Sequence, residues 1–421
     1  MKRNILSIVS PVALCVALMA GIGKPAAAAT LCVNPGGTLG CYATIGTAVL
    51  NAAPYDTINV APGTYNEDVV IGIPLALIGA NSWGTIINAT GLNNGIYIDG
   101  LDYPGLGSVV VKGFTVENAN FEGILVTNAT GVTITDNKVT SNDKGLVVST
   151  NISCPNLPAF ETAEGDDCGE GIHLIGVDHS IVANNTSENN SGGILLTDET
   201  GSTHDNLLTG NSVRNNPYDC GITLASHPPY SRTTLGMVHN TISNNESTHN
   251  GYLVPGAGAG VGMFGFIPGA TVSGNVVINN RLTRNGLPGV AMHGHYPGGE
   301  VLNDNIIAGN EISGNGADTE DAATPGTTGI NIYGYSPITG IVISQNQIKD
   351  EADDIVVNTA AQVDAHLNSF SGRGVGIDNL GSGTVDATEN WWGCFAGPGA
   401  TGCASVVGSG VTSTPWLAWP F

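Results

Sequence analysis

A glycine followed by an aliphatic residue opens a short apolar stretch again and again along this chain. The series runs Gly95-Ile96, Gly123-Ile124, Gly145-Leu146, Gly171-Ile172, Gly193-Ile194 and Gly221-Ile222, then Gly260-Val261, Gly289-Val290, Gly329-Ile330 and Gly376-Ile377, with Asp354-Ile355 in the gap. The shortest spacings are 22 residues, from 123 to 145, 171 to 193 and 354 to 376, and the others are longer by variable amounts. A constant coil with loops of different length inserted into it has this signature, and self-similarity at such a period marks a solenoid. With the opening glycine as zero, positions one and three carry Ile124/Val126, Ile172/Leu174, Ile194/Leu196, Ile222/Leu224, Val290/Met292 and Ile330/Ile332. Side chains alternate across a strand, so these pairs point inward and stack into a core that no single coil makes alone.

Asparagine supplies a second ladder. Pairs five residues apart recur at Asn137/Asn142, Asn185/Asn190, Asn206/Asn211, Asn240/Asn245, Asn275/Asn280 and Asn305/Asn310. Asn tolerates the left-handed backbone of a tight corner, and its amide bonds to the same residue one coil above. These residues are therefore expected at the corners. A leucine-rich repeat would show denser leucine and a propeller longer blades. The spacing predicts an all-β, single-stranded parallel solenoid of about a dozen coils. It forms one elongated domain over residues 30–421, with 30–66 as cap and entry coil and 385–421 as the closing cap.

Open coils expose strand edges, so both ends need covers. Residues 43–53, Ala43-Thr44-Ile45-Gly46-Thr47-Ala48-Val49-Leu50-Asn51-Ala52-Ala53, read as a short amphipathic helix that caps the first coil. It leads into Asp56-Thr57-Ile58-Asn59-Val60-Ala61-Pro62-Gly63-Thr64-Tyr65. That segment, with Pro74-Leu75-Ala76-Leu77-Ile78-Gly79, resembles the entry coils of right-handed parallel β-helix repeat proteins of the pectin-lyase-like superfamily. These include pectin methylesterases and the nitrous-oxide-reductase accessory β-helix family. Asn390-Trp391-Trp392-Gly393, followed by Gly397-Pro398, is similar to the closing segment of many secreted β-helix proteins. The resemblance covers residues 40–400 and implies a right-handed parallel β-helix.

Export is expected from residues 1–29. Lys2 and Arg3 precede an apolar run broken by Pro11, and Ala26-Ala27-Ala28-Ala29 ends it as a cleavage site would. No later stretch is long and apolar enough to span a bilayer. Cleavage removes three basic residues and no acid, which moves the net charge from -23 to about -26. That balance disfavours nucleic acid and anionic lipid as partners, and repels polyanionic substrates unless a cation or an arginine intervenes. Six cysteines fall into close pairs, Cys32 with Cys41, Cys154 with Cys168 and Cys394 with Cys403, as an oxidising compartment allows. Cys220 is left over and is expected to be buried.

Candidate chemistry gathers on the outward side of the repeated strand. Asp198 and Glu199 follow the strand from Gly193, His227 the next, then Phe264 and Phe266, then His293, His295 and Tyr296, then Tyr333 and Tyr335; His173 points outward one coil earlier. Imidazoles and carboxyls serve as general acids and bases, and aromatic faces stack on sugar rings. His173, Asp198, His227, His293 and Tyr296 are the catalytic candidates. Glu199, Phe264, Phe266, His295, Tyr333 and Tyr335 are candidates for holding a polysaccharide or cell-surface glycan, in lyase, C5-epimerase or hydrolase chemistry. Asp198, Glu199 and Asp219 are candidate oxygen ligands for Ca²⁺. Two other readings are a non-catalytic adhesion or glycan-binding protein and, as the accessory-family resemblance implies, copper or zinc binding through His293, His295 and His227. Gly165-Asp166-Asp167-Cys168 resembles the paired-aspartate motif of polygalacturonases, but the Asn-Thr-Asp, Gly-His-Gly and Arg-Ile-Lys elements of that family are absent.

Overall fold

The computed structural model describes residues 28–149, 152–161, 168–227, 236–254, 258–319, 324–371 and 373–420. Among them the strands form parallel sheets of 14, 12 and 11 strands, and a further sheet of three. Neighbours in each sheet come from successive coils. Ile172–Ile175, Ile194–Thr197, Ile222–Ser226, Val261–Gly265, Val290–Gly294 and Thr328–Gly334 lie side by side in the twelve-stranded sheet. The expected inward pairs are buried in one continuous core running from Val33 to Ala404. The expected export sequence lies outside the described residues up to residue 27.

The opening glycine is needed because coils approach closely there: a Cβ on Gly193 would stand 2.2 Å from the carbonyl oxygen of Gly221. Gly145-Leu146 does not open a coil. The strand Ile124–Thr127 pairs directly with Ile172–Ile175, and residues 143–170 form a connection pinned by Cys154–Cys168. The 22-residue spacing from 123 to 145 is thus a coincidence of a long insertion.

The asparagines stack, but not as expected. The left-handed residue is the one before: Asp136, Ser141, Asn184, Asn189, Asn244 and Asn279 have positive φ, while the ladder Asn that follows turns its amide inward. Each amide accepts from the backbone N–H of the preceding coil's Asn and donates back to a carbonyl. Asn245 Oδ1 receives Asn211 N at 3.0 Å, and Asn245 Nδ2 bonds Leu208 O at 3.0 Å. The recurring pairs also occupy different corners. Asn137 and Asn185 stack on Asn211, not on Asn206. A third Asn, five residues further on, completes three ladders: Asn206, Asn211 and Asn216 in one coil, Asn240, Asn245 and Asn250 in the next.

Both ends are closed. The helix Ile45–Asn51 lays Ile45, Ala48 and Val49 on the first coil, capped by Thr44 Oγ1 and by Glu67, whose carboxylate accepts Ile45 N and Gly46 N at 2.8 Å each. At the far end Trp392 is fully buried against Phe370, with ring centroids 5.0 Å apart. Cys32–Cys41 and Cys394–Cys403 are joined as expected. Among the described residues no helix is long and apolar enough to cross a membrane.

Candidate functional site

Parallel register turns single outward positions into columns. At position two stand His173, Leu195, Thr223, Gly262, Ala291 and Asn331. At position four stand Thr197, Ala225, Phe264, His293 and Tyr333. Two residues later follow Glu199, His227, Phe266, His295 and Tyr335. His173 and Tyr333 are five coils apart, about 24 Å at the usual strand spacing.

Two histidines of this face are each paired with an acid, and a third stands near two. Glu199 Oε1 lies 3.0 Å from His227 Nδ1, and both side chains are buried. His293 Nε2 lies 3.1 Å from Asn331 Nδ2, and its Nδ1 faces Asp318 Oδ2 at 3.4 Å. His173 places Nε2 3.0 Å from Thr197 Oγ1, and a ligand atom of its ring lies within 4.8 Å of carboxylate oxygens of Glu122 and Glu161. Those three residues are close enough to share one cation.

The acids of this face differ in state. Burial pushes Glu122 up to about 8, and among the described residues no other residue donates to either of its oxygens. Burial, and then the charges of Glu122 and Glu199, drive Glu161 well above the carboxylate range. Burial alone would raise Glu199 as well. The bond from His227 and the charges of His227 and His173 outweigh it and hold Glu199 below its ordinary value. A carboxyl kept protonated and a carboxylate kept ionised thus stand within electrostatic reach of each other, the arrangement that separates an acid from its base.

The aromatic candidates join into one apron beside these dyads. Phe266 contacts His227 at 5.3 Å and His295 at 4.7 Å between ring centroids, Phe264 contacts His293 at 5.6 Å, and Tyr333 contacts His293 at 5.9 Å and Tyr335 at 5.5 Å. Tyr335 and Tyr296 are exposed, with Tyr296 on the turn that Glu300 fastens through Tyr296 N at 2.9 Å.

Two expectations need correction. Asp198 occupies an odd position and so turns away from the face. Its oxygens accept Ser226 Oγ at 2.9 Å, His227 N at 3.0 Å and Gly236 N at 2.8 Å, which makes it a staple between coils. The calcium set does not converge either. Asp219 N donates to Ser191 O, seven residues upstream of Asp198, so Asp219 lies at the opposite end of the strand from Asp198 and Glu199, roughly 20 Å away. Asp166 and Asp167 lie outside the described residues. Cys220 is buried; burial raises its thiol pKa and its sulfur accepts Ala259 N at 3.1 Å, so it is not poised as a nucleophile.

Glu122, Glu161 and Asp318 went unrecognised in the sequence. Glu161 and Asp318 sit in long connections with no periodicity to place them. Glu122 had a signal, since it directly precedes an opening glycine, as Glu170 does.

Residues 75–265 match the family model described as a right handed beta helix region. The chain folds as a right-handed parallel β-helix. This β-helix is similar to DFA-IIIase from Arthrobacter chlorophenolicus A6, without its lid and in complex with GF2, with a TM-score of 0.57 at 13% identity over 92% of this chain and 99% of that one. The Agl-KA catalytic domain gives 0.54 at 13% identity over 80% and 64%, and the Dettilon tailspike protein 0.51 at 13% over 90% and 66%. Such identities speak for the fold alone. The β-helix spans less than two thirds of the length of the last two proteins. No curated protein matches it.

Proposed function

We propose that this β-helix is an exported enzyme that hydrolyses a neutral polysaccharide laid along the outer face of the twelve-stranded sheet. The observation that carries this reading is the pair of carboxyls in opposite states, Glu161 raised and Glu199 lowered, on one face. In hydrolysis, Glu161 delivers its proton to the glycosidic oxygen while Glu199, held by His227, activates water or faces the developing positive charge on the sugar. The apron of Phe266, His295, Tyr333 and Tyr335 gives the adjoining sugars flat surfaces to stack on. The kinship in fold with DFA-IIIase, captured with GF2, supports a carbohydrate substrate. The three disulfides support export.

Charge favours a neutral glycan over a polyuronate. No Lys or Arg occurs in the described strands of the twelve-stranded sheet. Lys138 and Arg214 lie on the eleven-stranded sheet, where both are bound to Glu188. A lyase or C5-epimerase must offset the substrate carboxylate before it removes the C5 proton, and the described strands of this face carry no Lys or Arg to do so, while His227 and His293 are engaged by Glu199 and Asp318.

Incubation with a panel of neutral and acidic glycans tests this directly. New reducing ends from a neutral polymer are expected, with turnover falling about 10²-fold or more in Glu161→Gln and Glu199→Gln while the fold is kept. Unsaturated-uronate absorbance would establish a lyase instead. Glycan binding without any product would favour a second reading, an adhesion-type binder, which the deep burial of the acids beside exposed tyrosines supports.

A further inference from the structure

A second constellation of donors lies away from that face, on the corner ahead of the fourteen-stranded sheet. Three successive coils place His179, Asp205 and His239 in one column: His179 N bonds His204 O, Asp205 N bonds Val238 O, and His239 N bonds Ser273 O. All three are left-handed, with φ of 50°, 54° and 57°, so they share one backbone geometry. The neighbouring column adds Asp178 and His204, which pair in register. Five imidazole and carboxylate groups thus form one patch across three coils. His179 Nδ1 is 2.6 Å from Asp178 Oδ1, and His204 Nδ1 is 2.8 Å from Asp205 Oδ2. His239 Nδ1 stands 4.0 Å from Asp205 Oδ1. Ligand atoms of His179, His204 and Asp205 all lie within 4.8 Å of one another.

We propose that His179, His204, Asp205 and His239 bind a divalent transition metal of the zinc type. A ring whose Nδ1 faces a carboxylate presents Nε2 as a lone-pair donor, and a carboxylate behind the ring raises its basicity; His179 with Asp178 has this form. Imidazole nitrogens select zinc or copper over calcium, which prefers oxygen. The outer side chains are exposed, His179 at 65% and His239 at 68%, so an ion reaches them from solvent; His179, His204 and Asp205 supply three donors, and His239, 4.0 Å from Asp205, stands beside them as the fourth. Bound there, the ion ties three coils together across their corner. The function of this patch is independent of catalysis on the twelve-stranded sheet.

The test is calorimetric titration of the chelator-treated mature chain with Zn²⁺ alone, with melting followed in parallel. On the order of one ion per chain is expected, with a rise in Tm. Affinity should fall about tenfold or more in His204→Ala and in His179→Gln. His179 is exposed, so its variant keeps the fold, and circular dichroism verifies this. Binding should weaken as the solution is taken from about pH 7.5 to 5.5, where imidazoles take up protons. His366→Ala, at the separate group Asp364, His366 and Asp386, should leave the affinity unchanged. The assignment is overturned if the wild-type chain takes up no zinc, if both corner variants bind it undiminished, or if only His366→Ala loses it.

Discussion

Glu122 carries an unusual burden for one residue. It is fully buried, and no other described residue donates to its carboxyl, so burial raises its pKa from 4.5 to about 8. The folded chain therefore holds a proton that the unfolded chain releases at a lower pH. Stability from this group is fully present below about pH 4.5 and is lost as pH rises through about 8. Glu122→Gln keeps the shape and removes the titration. Its Tm should lose the downward slope of the wild type between pH 5 and 9 and exceed the wild type at the alkaline end. An unchanged slope would mean that other groups set it, with Glu161 foremost. At this scale the sequence was legible by parity: His173, His227 and His293 fall at even positions and do face outward, while odd Asp198 does not. The acids that meet His173 and His293 were hidden, because loop residues have no period.

Elements are tied together by the inward asparagines. Each corner amide accepts one backbone N–H and donates to one carbonyl of an adjacent coil, which leaves the buried turns satisfied. Removing one amide leaves those two backbone groups unpaired, at a cost of about 1–3 kcal/mol. Asn245→Ala should lower the unfolding free energy by that amount in urea. Asn244→Gly, one residue earlier at φ 55°, should change it by about 0.5 kcal/mol or less, since Gly adopts that backbone freely. Equal effects at the two positions would contradict the ladder. The five-residue offset was plain in the sequence, but its meaning is geometric: a three-residue strand plus a two-residue corner brings the next amide to the next corner. Pairs alone could not say which two of the three corners they occupied, so the phase became visible only with Asn216, Asn250, Asn285 and Asn315.

For the whole molecule, each coil bonds chiefly to its two neighbours, so stability is a chain of local interfaces closed by caps. Opening the N-terminal disulfide in a Cys32→Ser, Cys41→Ser variant should therefore cost hydrogen-exchange protection in the first coils, near residues 30–60, and leave residues 240–310 as protected as before. Uniform loss along the chain would mean global coupling that the architecture does not predict. Coil count, core positions, capping helix and cysteine partners were all readable in advance, because a repeat displays each rule many times. The long connection from 143 to 170 was misread because a single insertion displays its rule only once.

The unequal coils also give the molecule a mechanical signature. Successive members of the ladder from Asn137 to Asn390 are separated by 48, 26, 34, 35, 30, 36, 22 and 22 residues. A chain pulled from its two ends gives up one coil at a time, and each coil yields a length set by its own insertion. The Cys154–Cys168 disulfide holds 14 of the 48 residues out of the first step, so at about 3.5 Å per residue the steps of this ladder range from roughly 80 to 130 Å. Within this ladder the shortest and most regular steps lie at the C-terminal end, so the order of extensions under load would report from which end the ladder unwinds.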